Sequence, residues 1–198
     1  MAVILGNERA PVPVVMDQNH GHGAAKFMSE VSGAAARGET RRPLKLVVGA
    51  SAGGHANELI RLLDVAERGL WPVDVAAYVT TMDITAKAFT RRGRPAHVIG
   101  EGDRKKPLRS VAVLARALRL AIVLRPDVIV TTGSMPLALF SICAKLLGAR
   151  VVWIDSVAQI DELSLSGRVM RHVADLCLAQ WPEVAAKYPN VEYAGELL

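Results

Sequence analysis

Gly49-Ala50-Ser51-Ala52-Gly53-Gly54-His55 is the first stretch whose residue types point to chemistry. Glycines let a backbone approach a ligand closely and reach positive φ. A helix beginning after them would aim free N–H groups and the positive end of its dipole at the loop, which suits phosphate. The ending is not the Gly-Lys-Ser/Thr of a Walker loop, and the spacing is not the dinucleotide fingerprint. His55 stands where an imidazole could take a proton, donate to an anion or simply cap the helix. Thr131-Thr132-Gly133-Ser134-Met135-Pro136 repeats the arrangement. There Ser134 is placed to cap and Pro136 to fill the first turn. Asp155-Ser156, the polar run Asp161 to Arg168 with Ser164 and Ser166, and Gln180-Trp181-Pro182 follow later apolar runs. Asp155 reads either as a working acid or as a cap. Trp181 reads as a lid, an anchor or core.

No set of metal ligands emerges, so no metal or other cofactor is expected. His20 and His22 stand in a segment without further ligands. Cys143 and Cys177 form no paired motif and sit in apolar runs, as buried free thiols of a reducing compartment do.

The elements that must carry these loops are short strands alternating with helices. Apolar runs mark strands at Leu44–Val48, Val73–Val79, Ala96–Ile99, Asp127–Thr131, Arg150–Ile154, Leu176–Ala179 and Val191–Tyr193. Helical spacing fills Ala56–Arg68, a stretch from an Asp83 cap to about Arg92, Leu108–Leu124, Ser134–Leu147 and Gly167–Val173. A short helix follows Pro182. Alternation of this kind predicts an α/β fold: a doubly wound, mostly parallel, Rossmann-like sheet. Strands without internal alternation fit burial on both faces. Ligands of such sheets bind beyond the carboxyl ends of the strands, where every segment named above falls.

At 198 residues the chain fits one domain, expected over 43–198. Residues 1–42, rich in Gly, Ala, Ser and Pro, read as a flexible extension. Met1–Leu5 lacks the basic start of a secretory signal. No run of apolar residues is long enough to span a bilayer. The net charge of +5 is concentrated in residues 91–125, which carry ten basic and two acidic side chains. Arg104, Lys105 and Lys106 precede a helix whose Arg109, Arg116 and Arg119 fall within about 80° of one face. The rest of that helix is nearly all aliphatic. Such a helix suits an anionic lipid surface or forms a core helix with one solvated stripe. An aromatic content of 5% leaves too few rings for a single-stranded nucleic-acid platform.

Taken together the motifs resemble a known family. Gly53-Gly54-His55 with Glu58 and Leu62-Leu63 is similar to the phosphate-loop region of inverting, two-lobed UDP-sugar glycosyltransferases. Asp155-Ser156, Leu163-Ser164-Leu165-Ser166-Gly167, Ala174-Asp175, Gln180-Trp181-Pro182 and Tyr193-Ala194-Gly195-Glu196-Leu197 resemble, in order and spacing, the acceptor half of split glycosyltransferases. That group holds the membrane-anchoring subunit of the UDP-N-acetylglucosamine transferase of asparagine-linked glycosylation. It also holds bacterial exopolysaccharide subunits described as glucuronosyltransferase halves. The likeness covers about residues 44–198. Asp155-Ser156 replaces the family's Glu-Ser, Thr132-Gly133-Ser134 replaces the eukaryotic Asn-Gly-Pro, and residues 1–42 do not form the eukaryotic anchor.

The resemblance implies the N-terminal lobe of a GT-B glycosyltransferase, comparable to that of the peptidoglycan lipid-intermediate enzyme. It implies a chain that binds a polyprenyl-diphosphate-linked glycan and, peripherally, the cytoplasmic face of the inner (plasma) membrane. A separate small subunit would bind the UDP-sugar, glucuronic acid or N-acetylglucosamine. His55 would be the base. Ser51, Gly53, Gly54, Thr132, Gly133 and Ser134 would meet the acceptor diphosphate. Asp155, Ser156, Ser164, Ser166, Gln180 and Trp181 would line the cleft or touch the partner. Two other readings compete: a non-catalytic membrane scaffold that recruits a soluble transferase, and a stand-alone nucleotide-binding Rossmann protein.

Overall fold

A computed structural model describes residues 44–65, 74–102 and 107–195, and among these residues seven strands and six helices alternate. The first half runs β1 (Leu46–Gly49), α1 (Gly54–Val65), β2 (Val75–Thr80), α2 (Asp83–Thr90), β3 (Ala96–Val98) and α3 (Pro107–Leu124). The second half runs β4 (Val128–Thr131), α4 (Met135–Leu146), β5 (Arg150–Ile154), α5 (Leu165–Met170), β6 (Leu176–Ala179), α6 (Pro182–Ala185) and β7 (Glu192–Tyr193). The extension expected over 1–42, and the basic Arg104, Lys105 and Lys106, lie outside the described residues.

The strand order is β3-β2-β1-β4-β5-β6-β7, and every neighbouring pair is parallel. The sheet is thus wholly parallel where a mostly parallel one was expected. β1 lies between β2 and β4, with Val48 opposite Tyr78 on one side and Val130 on the other. The chain builds outward from β1 to β3, then crosses back to start β4 on the other side of β1. The order therefore reverses between β1 and β4, and their loops diverge to opposite faces. In sheets of this topology such a switch point is where ligands bind.

Successive strand residues face opposite ways, so Val47 and Val48 enter different cores. On one face α1 and α2 cover β1 and β2 through Ala56, Leu59, Leu63 and Phe89, with Tyr78 and Phe89 stacked at 4.8 Å. On the other face α3 and α4 cover β1, β2 and β4 through Ala117, Ala121, Leu137 and Phe140. A third cluster gathers Trp153, Leu163, Met170, Cys177 and Val184 beneath α4, α5 and α6.

Several element boundaries differ from the sequence reading, for local reasons. α1 starts two residues early, at Gly54, because the Gly53 carbonyl accepts the N–H groups of Ala56 and Asn57. α5 starts at Leu165 rather than Gly167 because the Ser164 hydroxyl accepts the Gly167 N–H at 2.9 Å, a side-chain cap. Asp83 is not a cap: Met82 holds that position, and the Asp83 carboxylate sits in the first turn, where the helix dipole favours it. Ser134 holds the cap position of α4 but makes no capping bond. Its φ of 95° lies outside the extended range that a capping residue adopts.

Candidate functional site at the carboxyl edge

The β1–α1 and β4–α4 loops are clasped together at the carboxyl edge of the sheet. His55 Nδ1 lies 2.6 Å from the Thr132 carbonyl oxygen, and Thr132 Oγ1 donates to the His55 carbonyl at 2.6 Å. A carbonyl oxygen only accepts, so the bond places the imidazole proton on Nδ1. In the neutral ring Nε2 is then the unprotonated nitrogen. Gly133, at φ +113°, has no Cβ for a reason. A Cβ there would lie 3.2 Å from His55 Cε1, and only glycine reaches this backbone conformation without strain. The imidazole occupies the space that a side chain at 133 would need.

Around this clasp are donors without acceptors. The N–H groups of Gly54 and His55, first in α1, take no acceptor from the described residues. The Ser134 hydroxyl and the Trp153 indole N–H are buried with no hydrogen-bond partner among the described residues. Trp153 lies against Gly133: a Cβ there would be 3.7 Å from its Cζ2. Helix-terminal N–H groups beside an imidazole form a cradle for an anionic or hydroxyl-bearing group. Ser51, Gly53, Gly54, Thr132, Gly133 and Ser134 all belong to these two loops.

The second half of the edge is built on two buried acids. Glu58, one turn after His55 on α1, is 1% exposed. Its carboxylate accepts from Ser156 Oγ at 3.1 Å and from Gln180 Nε2 at 2.9 Å, and Gln180 also donates to the Asp155 carbonyl. Asp155, 2% exposed, accepts from the Ser164 N–H at 2.7 Å and the Ser164 hydroxyl at 2.6 Å. Ser166 Oγ lies 3.2 Å from Ser164 Oγ. Trp181 donates through Nε1 to the Val157 carbonyl at 2.6 Å, and Lys187 donates to the Asp161 carbonyl. Trp181 and Lys187 therefore tie down the 157–163 loop, while Asp155, Ser164, Ser166 and Gln180 are engaged with one another and with Glu58. Ser156 joins Glu58 to the same frame. Of the predicted site residues, His55 and Thr132 meet in the clasp, and the Asp155 and Gln180 segments join it through Glu58 on α1.

Sequence reasoning named Glu58 only as part of a resemblance. The available signal was an acid between Ala56 and Leu59, on the flank of α1 that packs inward. A groove between α2 and β3, lined by Asp83, Lys87, Arg91, Ala96 and Val98, holds none of the predicted site residues. Among the described residues no group of three or more His, Cys, Asp and Glu side chains could hold a metal ion.

On α3, Val113, Ala117 and Ala121 turn inward, while Leu108, Val111, Leu114, Leu118 and Ile122 are exposed in a continuous strip. At 100° per residue, Arg119, Arg116 and Arg109 follow along one flank of that strip. All three are exposed, and Arg116 lies over Gly100. Among the described residues no helix is long and apolar enough to cross a membrane.

This architecture is that of a Rossmann-like lobe of the GT-B kind. The chain superposes on MurG of Acinetobacter baumannii with a TM-score of 0.56 at 17% identity, covering 71% of this chain and 43% of that one. It superposes on the UDP-GlcNAc 2-epimerase of Methanocaldococcus jannaschii with a TM-score of 0.57 at 14% identity, covering 77% and 46%. At these identities the likeness is one of fold, and the chain spans less than half the length of either protein. Family membership comes from sequence. The family described as "Oligosaccharide biosynthesis protein Alg14 like" matches residues 96–197. The UDP-N-acetylglucosamine transferase subunit ALG14 of Yarrowia lipolytica is 30% identical over 176 residues, covering 78% of this chain and 81% of that protein. The chain belongs to the Alg14-like family of oligosaccharide biosynthesis proteins.

Proposed function

We propose that this chain is the acceptor-binding, membrane-apposed subunit of an inverting glycosyltransferase, with the UDP-sugar brought by a separate small subunit. The sugar favoured is N-acetylglucosamine, after the names of the relatives; glucuronic acid is the alternative. The acceptor is a polyprenyl-diphosphate-linked glycan at the cytoplasmic face of the plasma membrane. The observation that carries the reading is the His55–Thr132 clasp beside the first N–H groups of α1, which take no acceptor among the described residues.

In this reading the helix N–H groups receive the acceptor diphosphate, and Nε2 of His55 meets the acceptor hydroxyl. As that oxygen attacks the anomeric carbon, its proton passes to Nε2. The bond from the anomeric carbon to the UDP oxygen breaks on the opposite side, and UDP departs with the electron pair. The Thr132 carbonyl keeps Nδ1 protonated and steadies the imidazolium that forms. The reaction so written calls on no metal ion. The apolar strip of α3, with Arg109, Arg116 and Arg119 beside it, would rest on anionic lipid and present the edge to a lipid-linked acceptor.

Reconstitution of the chain with its small partner tests the proposal, using UDP-N-acetylglucosamine or UDP-glucuronic acid and a polyprenyl-diphosphate glycan. The native pair should transfer sugar. His55→Ala should lower kcat on the order of 10²–10⁴-fold, the usual worth of a general base. Unchanged transfer by His55→Ala, with intact membrane recruitment, would favour a scaffold instead.

A further inference from the structure

Glu58 is a buried carboxylate to which the proposed reaction assigns no step. Its partners among the described residues are neutral, the hydroxyl of Ser156 and the amide of Gln180. Burying a carboxylate among neutral donors is a poor way to gain stability, and a well-packed apolar side chain often does as well. A group kept under those terms is better explained by what it holds in place.

We infer that Glu58 is a positioning residue for His55. The two side chains stand three residues apart on α1, and residues so spaced share one flank of a helix. His55 ties that flank to the end of β4 at Thr132. Glu58 ties it to the ends of β5 and β6 at Ser156 and Gln180. The apolar contacts of Leu59 and Leu63 with Val48 and Tyr78 hold α1 against the sheet. Nonpolar packing is non-directional, so it resists lifting of the helix more than rolling about its axis. Two polar tethers one turn apart resist the roll. The roll sets both the His55–Thr132 bond and the direction in which Nε2 points. The inference rests on the reading of His55 as the base, but its structural core, that Glu58 fixes the His55 tautomer, stands apart from that reading.

Long-range proton–nitrogen NMR of the full chain reads the tautomer without partner or substrate. In the native protein His55 should show a protonated Nδ1 and a bare Nε2. Glu58→Met keeps the bulk and removes both acceptors, so the two His55 nitrogen signals should move toward each other as the Nε2–H form appears. Glu58→Gln keeps an acceptor for Gln180 and can donate to Ser156, so it should retain the native pattern. A native His55 pattern in folded Glu58→Met overturns the inference, and so does a Glu58→Gln protein that behaves like Glu58→Met. Should Glu58→Met lose its near-ultraviolet circular dichroism, Gln180→Met is read by the same criterion. In the reconstituted pair, Glu58→Met should lower kcat on the order of 10²-fold, the effect of a misplacement of about 1 Å, with little change in KM. Absence of transfer by the native pair would count against the proposed function alone, and the spectra would still decide the role of Glu58.

Discussion

The Asp155 carboxylate and Gly167 share one small volume. A Cβ at 167 would lie 2.7 Å from Asp155 Oδ2 and 2.8 Å from its Cγ. The carboxylate cannot retreat freely, because Ser164 holds both of its oxygens and the site is buried. Gly167→Ala must therefore break buried charge-assisted bonds or push α5 outward. Losing such a bond costs about 1–3 kcal/mol, so urea unfolding should show Gly167→Ala destabilised by about 3 kcal/mol. A variant within 0.5 kcal/mol of the native chain, about the size of an ordinary surface effect, would mean that Asp155 is not pinned as described. Gly133 is crowded in a different way. There the neighbour is the His55 ring itself, so the fit serves the clasp rather than the frame.

At the scale of elements, the strand-to-loop transitions were legible in the sequence because parallel strands read as plain apolar runs, although β4 and β6 alternate buried and half-buried residues and β3 has no fully buried one. Each predicted strand was found, and the residues flagged for chemistry do lie at the carboxyl edge. What could not be read were pairings over long separations. Glu58 is buried by partners 98 and 122 residues away. The start of α5 is set by Ser164 together with Asp155, nine residues before it. Helix periodicity read α3 correctly as amphipathic, but only the packing shows which stripe is inward. With Val113, Ala117 and Ala121 buried, the exposed face is an aliphatic strip with arginines on one flank. That face makes a prediction of its own. A basic residue near an anionic surface contributes about 1 kcal/mol. Replacing Arg109, Arg116 and Arg119 together by Gln should weaken flotation with phosphatidylserine vesicles by roughly 100-fold. Leu118→Ser with Ile122→Ser should weaken it on neutral vesicles as well, since it removes buried apolar area. Vesicle binding unchanged by both sets would exclude α3 as the membrane face.

At the scale of the whole molecule, the chain is half of an architecture that its structural relatives carry in one polypeptide, yet its cores are closed. Both faces of the sheet carry helices, and each of the three apolar clusters joins strand and helix residues from several elements. The chain should therefore fold alone and unfold in one cooperative step, even if its proposed chemistry requires a partner. The pH dependence of that step follows from the thiols inside those clusters. Burial pushes Cys177 up from 9.0 to about 12, the Asp155 charge adds to the rise, and Arg171 opposes it. Burial raises Cys143 as well. A raised thiol stays protonated in the folded chain while the unfolded chain ionises, so the unfolded state holds fewer protons above about pH 9. Stability is then unaffected by these groups below pH 9 and falls as pH climbs from 9.0 toward about 12. The slope reaches about 1.4 kcal/mol per pH unit for each such thiol. Urea midpoints at pH 8 and pH 10 should show the loss, and Cys177→Ala should show a smaller one. Equal losses in the two proteins would mean that the Cys177 thiol is not held protonated by the core. Rapid alkylation of native Cys177 at pH 8 would say the same, because the thiolate is the reactive form.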